Sequence, residues 1–133
     1  MDTNGNTKKL LIKDLSSRLP YGVKFLRESW NFETDQELSV IEVLEAIDKD
    51  GYINNTKVYK VEDIKPYLFP LSSMTEEQKE EYVSLQQKVI YNSQGLVNLD
   101  VMEYVDWCYK HHIDINELIP MSLAIDATGL NIY

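Results

Sequence analysis

Two prolines four residues apart enclose an apolar run in KPYLFPLSSMTEEQ, residues 65–78, and no other stretch limits the chain's options as much. Pro66 and Pro70 have no amide hydrogen to donate, and they push Lys65 and Phe69 toward extended backbone. The expectation is therefore a segment that is neither helix nor inner strand. Tyr67, Leu68, Phe69 and Leu71 still demand burial, so the segment reads as a stiff apolar strap laid across a sheet or helices. Its end is marked by SSMTEEQ, where Ser73 with Glu76, or Thr75 with Gln78, satisfies the free amides of a helix start. Glu76 and Glu77 suit the positive end of that helix's dipole. The helix is expected to run to about Tyr91, with Tyr82, Val83, Leu85, Val89 and Ile90 on one apolar stripe and Gln94-Gly95 as its stop.

Upstream of the strap, MDTNGNT (residues 1–7) is small and polar and reads as a flexible tail. From Lys8 onward Leu11, Ile12, Leu15 and Leu19 recur at helical spacing, until Pro20 and Gly22 interrupt them. GVKFLRESW (22–30) alternates like a strand. ELSVIEVLEAI (37–47) fits either a helix face or a β-branched strand, and the Asp50-Gly51 turn signal after it favours a strand, with KVYKV (57–61) returning. Asn54-Asn55 marks a second turn. Downstream, Asp100 to His112 reads as a helix with Val101, Tyr104, Val105, Cys108 and His112 on one face. Asp114 and Glu117 repeat the capping pattern before a short helical turn at Glu117 to Ile119, which Pro120 halts. The tail MSLAIDATGLNIY is apolar enough to dock as a last short strand. These elements describe one α+β domain over residues 8–133, a small antiparallel sheet packed with an N-terminal helix and two C-terminal helices.

The chain has 133 residues, enough for one core without staples. Thirteen Lys and Arg stand against 22 Asp and Glu, a formal charge of -9, which a phosphate backbone repels; nucleic acid is not an expected partner. Acidic mimicry of nucleic acid needs a contiguous carboxylate face, whereas these acids are spread through helices and turns and serve solubility. One cysteine, Cys108, excludes an internal disulfide and suits a reducing, cytoplasmic setting. The start of the chain lacks the pattern of a signal peptide, and no run of 18 apolar residues calls for a membrane. Asn54-Asn55-Thr56 matches a glycosylation acceptor but is most simply a turn.

Catalytic motifs are not found: no glycine-rich phosphate loop is present, and the scattered carboxylates form no recognisable pair. The one cluster with metal-ligand chemistry is Cys108, His111, His112 and Asp114, in which Cys108 and His112 fall one helical turn apart. A third ligand of fixed geometry is missing from the pattern, and the plain role is a core cysteine beside histidines at a helix end. No metal or other cofactor is expected. IDKDGYI (47–53) partly matches a calcium loop, yet Ala46 and Lys57 occupy its first and twelfth ligand places, so a glycine turn is the reading. Among the aromatic residues, Trp30, Phe32 and Trp107 are the candidates for a partner surface.

RLPYGV (18–23), DGYI (50–53), VEDIKPYLFPLSSMTEEQKEEY (61–82) and HHIDINELIPMSLAIDA (111–127) resemble a group of small proteins from Bacteroides-type gut bacteria and their phages. The strap-to-helix segment is the most specific piece. The resemblance implies a cytoplasmic bacterial or phage product, carried on mobile DNA. That group has no established activity, so no residue role is carried over. The expected function is a non-enzymatic protein-interaction or regulatory module that binds a host or viral protein. The alternative is an enzyme or a small-ligand or metal-binding protein with its site near Cys108, His111 and His112.

Overall fold

A computed structural model describes residues 4–31, 33–55, 57–91 and 98–133. Helix α1 spans Asn4–Arg18, so it begins inside the stretch expected to be a tail. Its buried face carries Leu11 and Leu15, as the spacing predicts, but also Asp14 and Arg18. A 3-10 turn at Leu19–Tyr21 accepts Pro20 in its first turn and ends at Gly22, whose φ of 68° is the left-handed conformation that glycine adopts without strain.

Strand β1 (Lys24–Asn31) pairs antiparallel with β2 (Gln36–Val43), from Lys24↔Val43 to Asn31↔Gln36. The strand reading of residues 37–47 therefore holds over most of its length, but its partner is β1 and not KVYKV. The Asp50-Gly51 turn closes only a bridge between Ile47 and Ile53, and β3 (Tyr52–Asn54) then pairs with β4 (Val58–Lys60) in a separate two-stranded sheet. Gly51 is needed there twice over. Its φ is 88°, and a Cβ at this position meets Lys8 Cε at 2.8 Å, Ile12 Cδ1 at 3.2 Å and Val61 Cγ1 at 3.3 Å, because the turn packs against α1.

Pro66, Tyr67 and Leu68 of the strap are in the interior and Phe69 is half-buried, but Leu71, expected to be buried, is 41 % exposed in the 3-10 turn that follows, and the strap is an inner strand. Strand β5 (Ile64–Leu68) lies between β1 and the short β6 (Ile125–Asp126), in the order β2-β1-β5-β6. Pro66 is tolerated because of where its missing donor points. The Lys24 amide turns away from β2 to the Tyr133 hydroxyl (2.9 Å), so the alternation along β1 makes Leu26↔Lys65 the hydrogen-bonded pair and Phe25↔Pro66 the pair that asks for no donor. On the other side, β6 first meets β5 at Tyr67, one residue later. That pairing is parallel, so the sheet is mixed where an antiparallel one was expected.

Helix α2 (Glu76–Tyr91) opens with the anticipated reciprocal cap: Gln78 N donates to Thr75 Oγ1 and Thr75 N to Gln78 Oε1, both at 3.1 Å. Helix α3 (Asn98–Lys110) packs against α2 and α1. The expected stop at Gln94-Gly95 lies outside the described residues. The core gathers Leu11 and Leu15 of α1, Val23 and Phe25 of β1, Ile64 and Leu68 of β5, and Leu118 and Ala124 from the C-terminal segment. No helix among the described residues is long and apolar enough to cross a membrane.

Candidate functional site

The cysteine-histidine cluster comes apart in three dimensions. Helix α3 stops at Lys110, two residues before the expected end. Ile113 N donates to Cys108 O (2.8 Å) and His112 N to Tyr109 O (3.1 Å), which puts His112 in the left-handed region with φ 60°. His112 is thus a helix stop and does not lie one turn above Cys108. Its ring stacks on Tyr133, with centroids 3.8 Å apart, while the His111 ring packs on Trp107 at 4.5 Å. Asp114 accepts from Leu118 N and Ile119 N, both at 2.8 Å, so it caps the next turn, but Glu117 with φ 57° completes no helix there. Burial pushes the Cys108 thiol up to about 11 and His112 down to about 4, leaving a protonated thiol and a neutral imidazole at neutral pH. Among the described residues no three His, Cys, Asp or Glu side chains converge to hold a metal. The partial calcium loop is a turn, in which Asp48 Oδ1 accepts from Asp50 N (2.9 Å) and Tyr52 N (3.0 Å).

Two polar constellations were not anticipated. Asp14 and Arg18, one turn apart on α1, form a buried ion pair at 2.7 Å. Arg18 Nη2 also donates to Ile113 O (2.8 Å), Asn116 Nδ2 to Asp14 Oδ2 (2.8 Å), and the guanidinium lies over the Tyr109 ring at 4.9 Å. The signal was present, since 14 and 18 share the helix face of 11 and 15. The second constellation lies beside a groove of about 710 Å³ between β1, β4 and β5, lined in part by Arg27, Tyr59, Lys60 and Lys65. Glu42 accepts from Arg27 Nε, from the Tyr59 hydroxyl (2.9 Å) and from Asn55 Nδ2 (3.2 Å). Burial tends to raise its pKa, but these donors outweigh burial and hold the carboxyl below its ordinary value. Every member of this set is occupied by another member.

The third region is the hairpin arm of α2 and α3, which carries Trp107. Of the expected α2 stripe only Leu85 is buried; Tyr82 and Val89 are half-buried, and Val83 and Ile90 stay 45 % and 61 % exposed. On α3, Val101 and Met102 are 45 % and 64 % exposed. Tyr82 and Tyr104 join their hydroxyls at 2.8 Å across the arm, and Trp107 Nε1 donates to Glu81 Oε2 at 2.9 Å. A cleft of about 500 Å³ between the helices is lined by Glu80, Glu81, Ser84, Leu85, Glu103 and Trp107. Of the three aromatic candidates, Trp107 is at this surface; Phe32 lies outside the described residues, as does the side chain of Trp30, whose backbone pairs with Glu37 near the end of the sheet. No protein-family model matches the chain, and neither does any curated protein or solved structure.

Proposed function

We propose that the chain is a non-enzymatic protein-binding module, an accessory product of a bacterium or its phage that works in the cytoplasm, and that the α2–α3 arm is its docking surface. One observation supports this reading above the others: four large apolar side chains, Val83, Ile90, Val101 and Met102, stay exposed on the same two helices. Covering them returns roughly 1 kcal/mol each, because each is already about half-buried. That is near the lower bound of the ~4–15 kcal/mol that association costs, so a complex here needs contributions from other groups on the arm.

The test is site-specific photo-crosslinking in the native cytosol. A crosslinker placed at Val83, Ile90 or Met102 is expected to give one discrete adduct, and the same probe at the exposed Lys60 or Glu117 none. Equal labelling from both sets, or a protein that stays monomeric and unlabelled at the arm, contradicts the reading.

A further inference from the structure

The chemistry of the arm says what kind of partner it fits. Between Glu76 and Lys110 the sequence has seven carboxylates and three lysines. The α2–α3 cleft is more one-sided still, because Glu80, Glu81 and Glu103 line it with no basic residue among them. These charges are poorly compensated within the chain. Glu81 is held by the Trp107 indole N–H, Glu103 meets Lys88 only at 3.9 Å with both side chains about half exposed, and Glu80 makes no ion pair among the described residues. An exposed pair of that kind neutralises little. Along α2, Glu77 and Glu81 are four residues apart on the same face, a like-charge spacing that disfavours a helix and is relieved by a cation brought alongside.

The floor of the cleft is apolar. Leu85 and Trp107 form it, and the Trp107–Glu81 hydrogen bond fixes ring and carboxylate in one relation before any partner arrives. Two neighbouring hollows share lining residues with it: Glu80 and Ser84 also line one together with Lys79 and Val83, and Glu103 also lines the α1–α3 groove together with Val101 and Met102. An apolar floor of Leu85 and Trp107 under a carboxylate rim is complementary to a segment with a Lys or Arg between apolar residues.

Resting on the protein-binding reading above, we infer that the α2–α3 cleft takes a basic amphipathic segment of a partner protein, seating one Lys or Arg side chain among Glu80, Glu81 and Glu103 against Trp107.

The probes are labelled helical peptides of about 15 residues, one built from Leu and Lys, one from Leu and Gln, read by fluorescence anisotropy. The Leu-Lys peptide is expected to bind at least about tenfold more tightly than the Leu-Gln peptide, and to weaken as salt rises from about 50 to about 500 mM. Replacing the rim in Glu80→Gln, Glu81→Gln, Glu103→Gln is expected to remove most of that advantage. Glu28→Gln, Glu45→Gln, Asp63→Asn changes net charge equally at exposed residues outside α2 and α3 and is expected to leave binding as it was. All six positions are exposed, and circular dichroism melting confirms that both variants fold. Equal losses from the two triple variants overturn the inference, since overall charge then explains the binding. Equal binding of the two peptides at the arm also overturns it, while leaving the protein-binding reading intact. Binding of neither peptide, together with silent crosslinkers at the arm, refutes both.

Discussion

Removing the carboxylate of Asp14 tests the packing of α1 most severely. Asp14 and Arg18 are both 0 % exposed, and the guanidinium has three hydrogen bonds, two to Asp14 (2.7 and 3.1 Å) and one to Ile113 O (2.8 Å). Among the described residues Arg18 Nη1 is buried without a hydrogen-bond partner even in the intact protein. Asp14→Ala therefore leaves a buried cation with a single carbonyl, a situation that costs about 3–5 kcal/mol. A domain of this length has about 7–20 kcal/mol in total, so the variant is expected to fold marginally, with Tm lower by roughly 12–20 °C. The double replacement Asp14→Leu, Arg18→Met removes both charges and keeps the volume apolar. It loses the bonds to Ile113 O and Asn116, worth about 1–3 kcal/mol together, but no longer buries a charge. The double variant is thus expected to be more stable than Asp14→Ala. Urea unfolding of the wild type, Asp14→Leu, Arg18→Met and the double variant gives the coupling directly. A loss below about 1 kcal/mol for Asp14→Ala, or a double variant as unstable as the two singles summed, refutes the claim that this pair is dry and mutually dependent.

Two further outcomes follow from the strap and the C-terminus. Phe69→Asp forces a carboxylate beside Tyr133, whose ring is 5.8 Å from that of Phe69, at a residue whose backbone bonds to His112 and Asp114; a loss of about 2–4 kcal/mol or an insoluble product is expected, and an unchanged melting curve contradicts the burial of the strap. His112 has a folded pKa depressed to about 4, mainly by burial and then by Arg18, against an ordinary 6.5. The unfolded chain takes up that proton first, so this contribution to stability is complete above about pH 6.5 and is lost as pH falls toward 4, a change of roughly 2–3 kcal/mol. Denaturant unfolding between those pH values is expected to be less steeply pH-dependent in His112→Phe; identical slopes in the two proteins remove His112 as the cause.

Much of the fold was legible where one local rule acts alone. Thr75 and Gln78 cap α2 because the cap needs only residues three apart, and Leu11 and Leu15 face the core because one period governs them. The rule for proline was read correctly and applied too far. Pro66 lacks a donor, but whether a strand can hold it depends on which neighbour that donor would have faced, and the register of β1 against β5 is a long-range fact. The same holds for KVYKV: the turn at Asp50-Gly51 was visible, whereas β1, eight residues long, outcompetes a three-residue β4 for the β2 edge. Asp14 and Arg18 were overlooked because charged residues on an apolar face read as an interruption; only the fold brings Ile113 O and Asn116 to meet them.

The candidate surface was the least legible part, and the reason is tied to that same ion pair. A helical period puts Val83 and Ile90, seven residues apart, on one side of α2 and Leu85, two residues from Val83, on the other; it does not show which side another element covers, and the structure covers Leu85. Here the cover is decided by where α1 is held. Arg18 binds Ile113 O just past α3 and the Tyr21 hydroxyl, in the turn after α1, binds Asp106 of α3, so the end of α1 and its turn are fastened near the C-terminal end of α3. Val101 and Met102, one to two turns earlier, lie along a groove that α1 reaches only through Ser17. Sliding α1 by one turn to cover them costs the buried pair its carbonyl partner, a loss of about 1–3 kcal/mol in the interior against the roughly 2 kcal/mol gained by burying two half-exposed side chains. The balance gives no net gain from closing the groove, so the anchor that secures α1 also leaves Val101 and Met102 exposed.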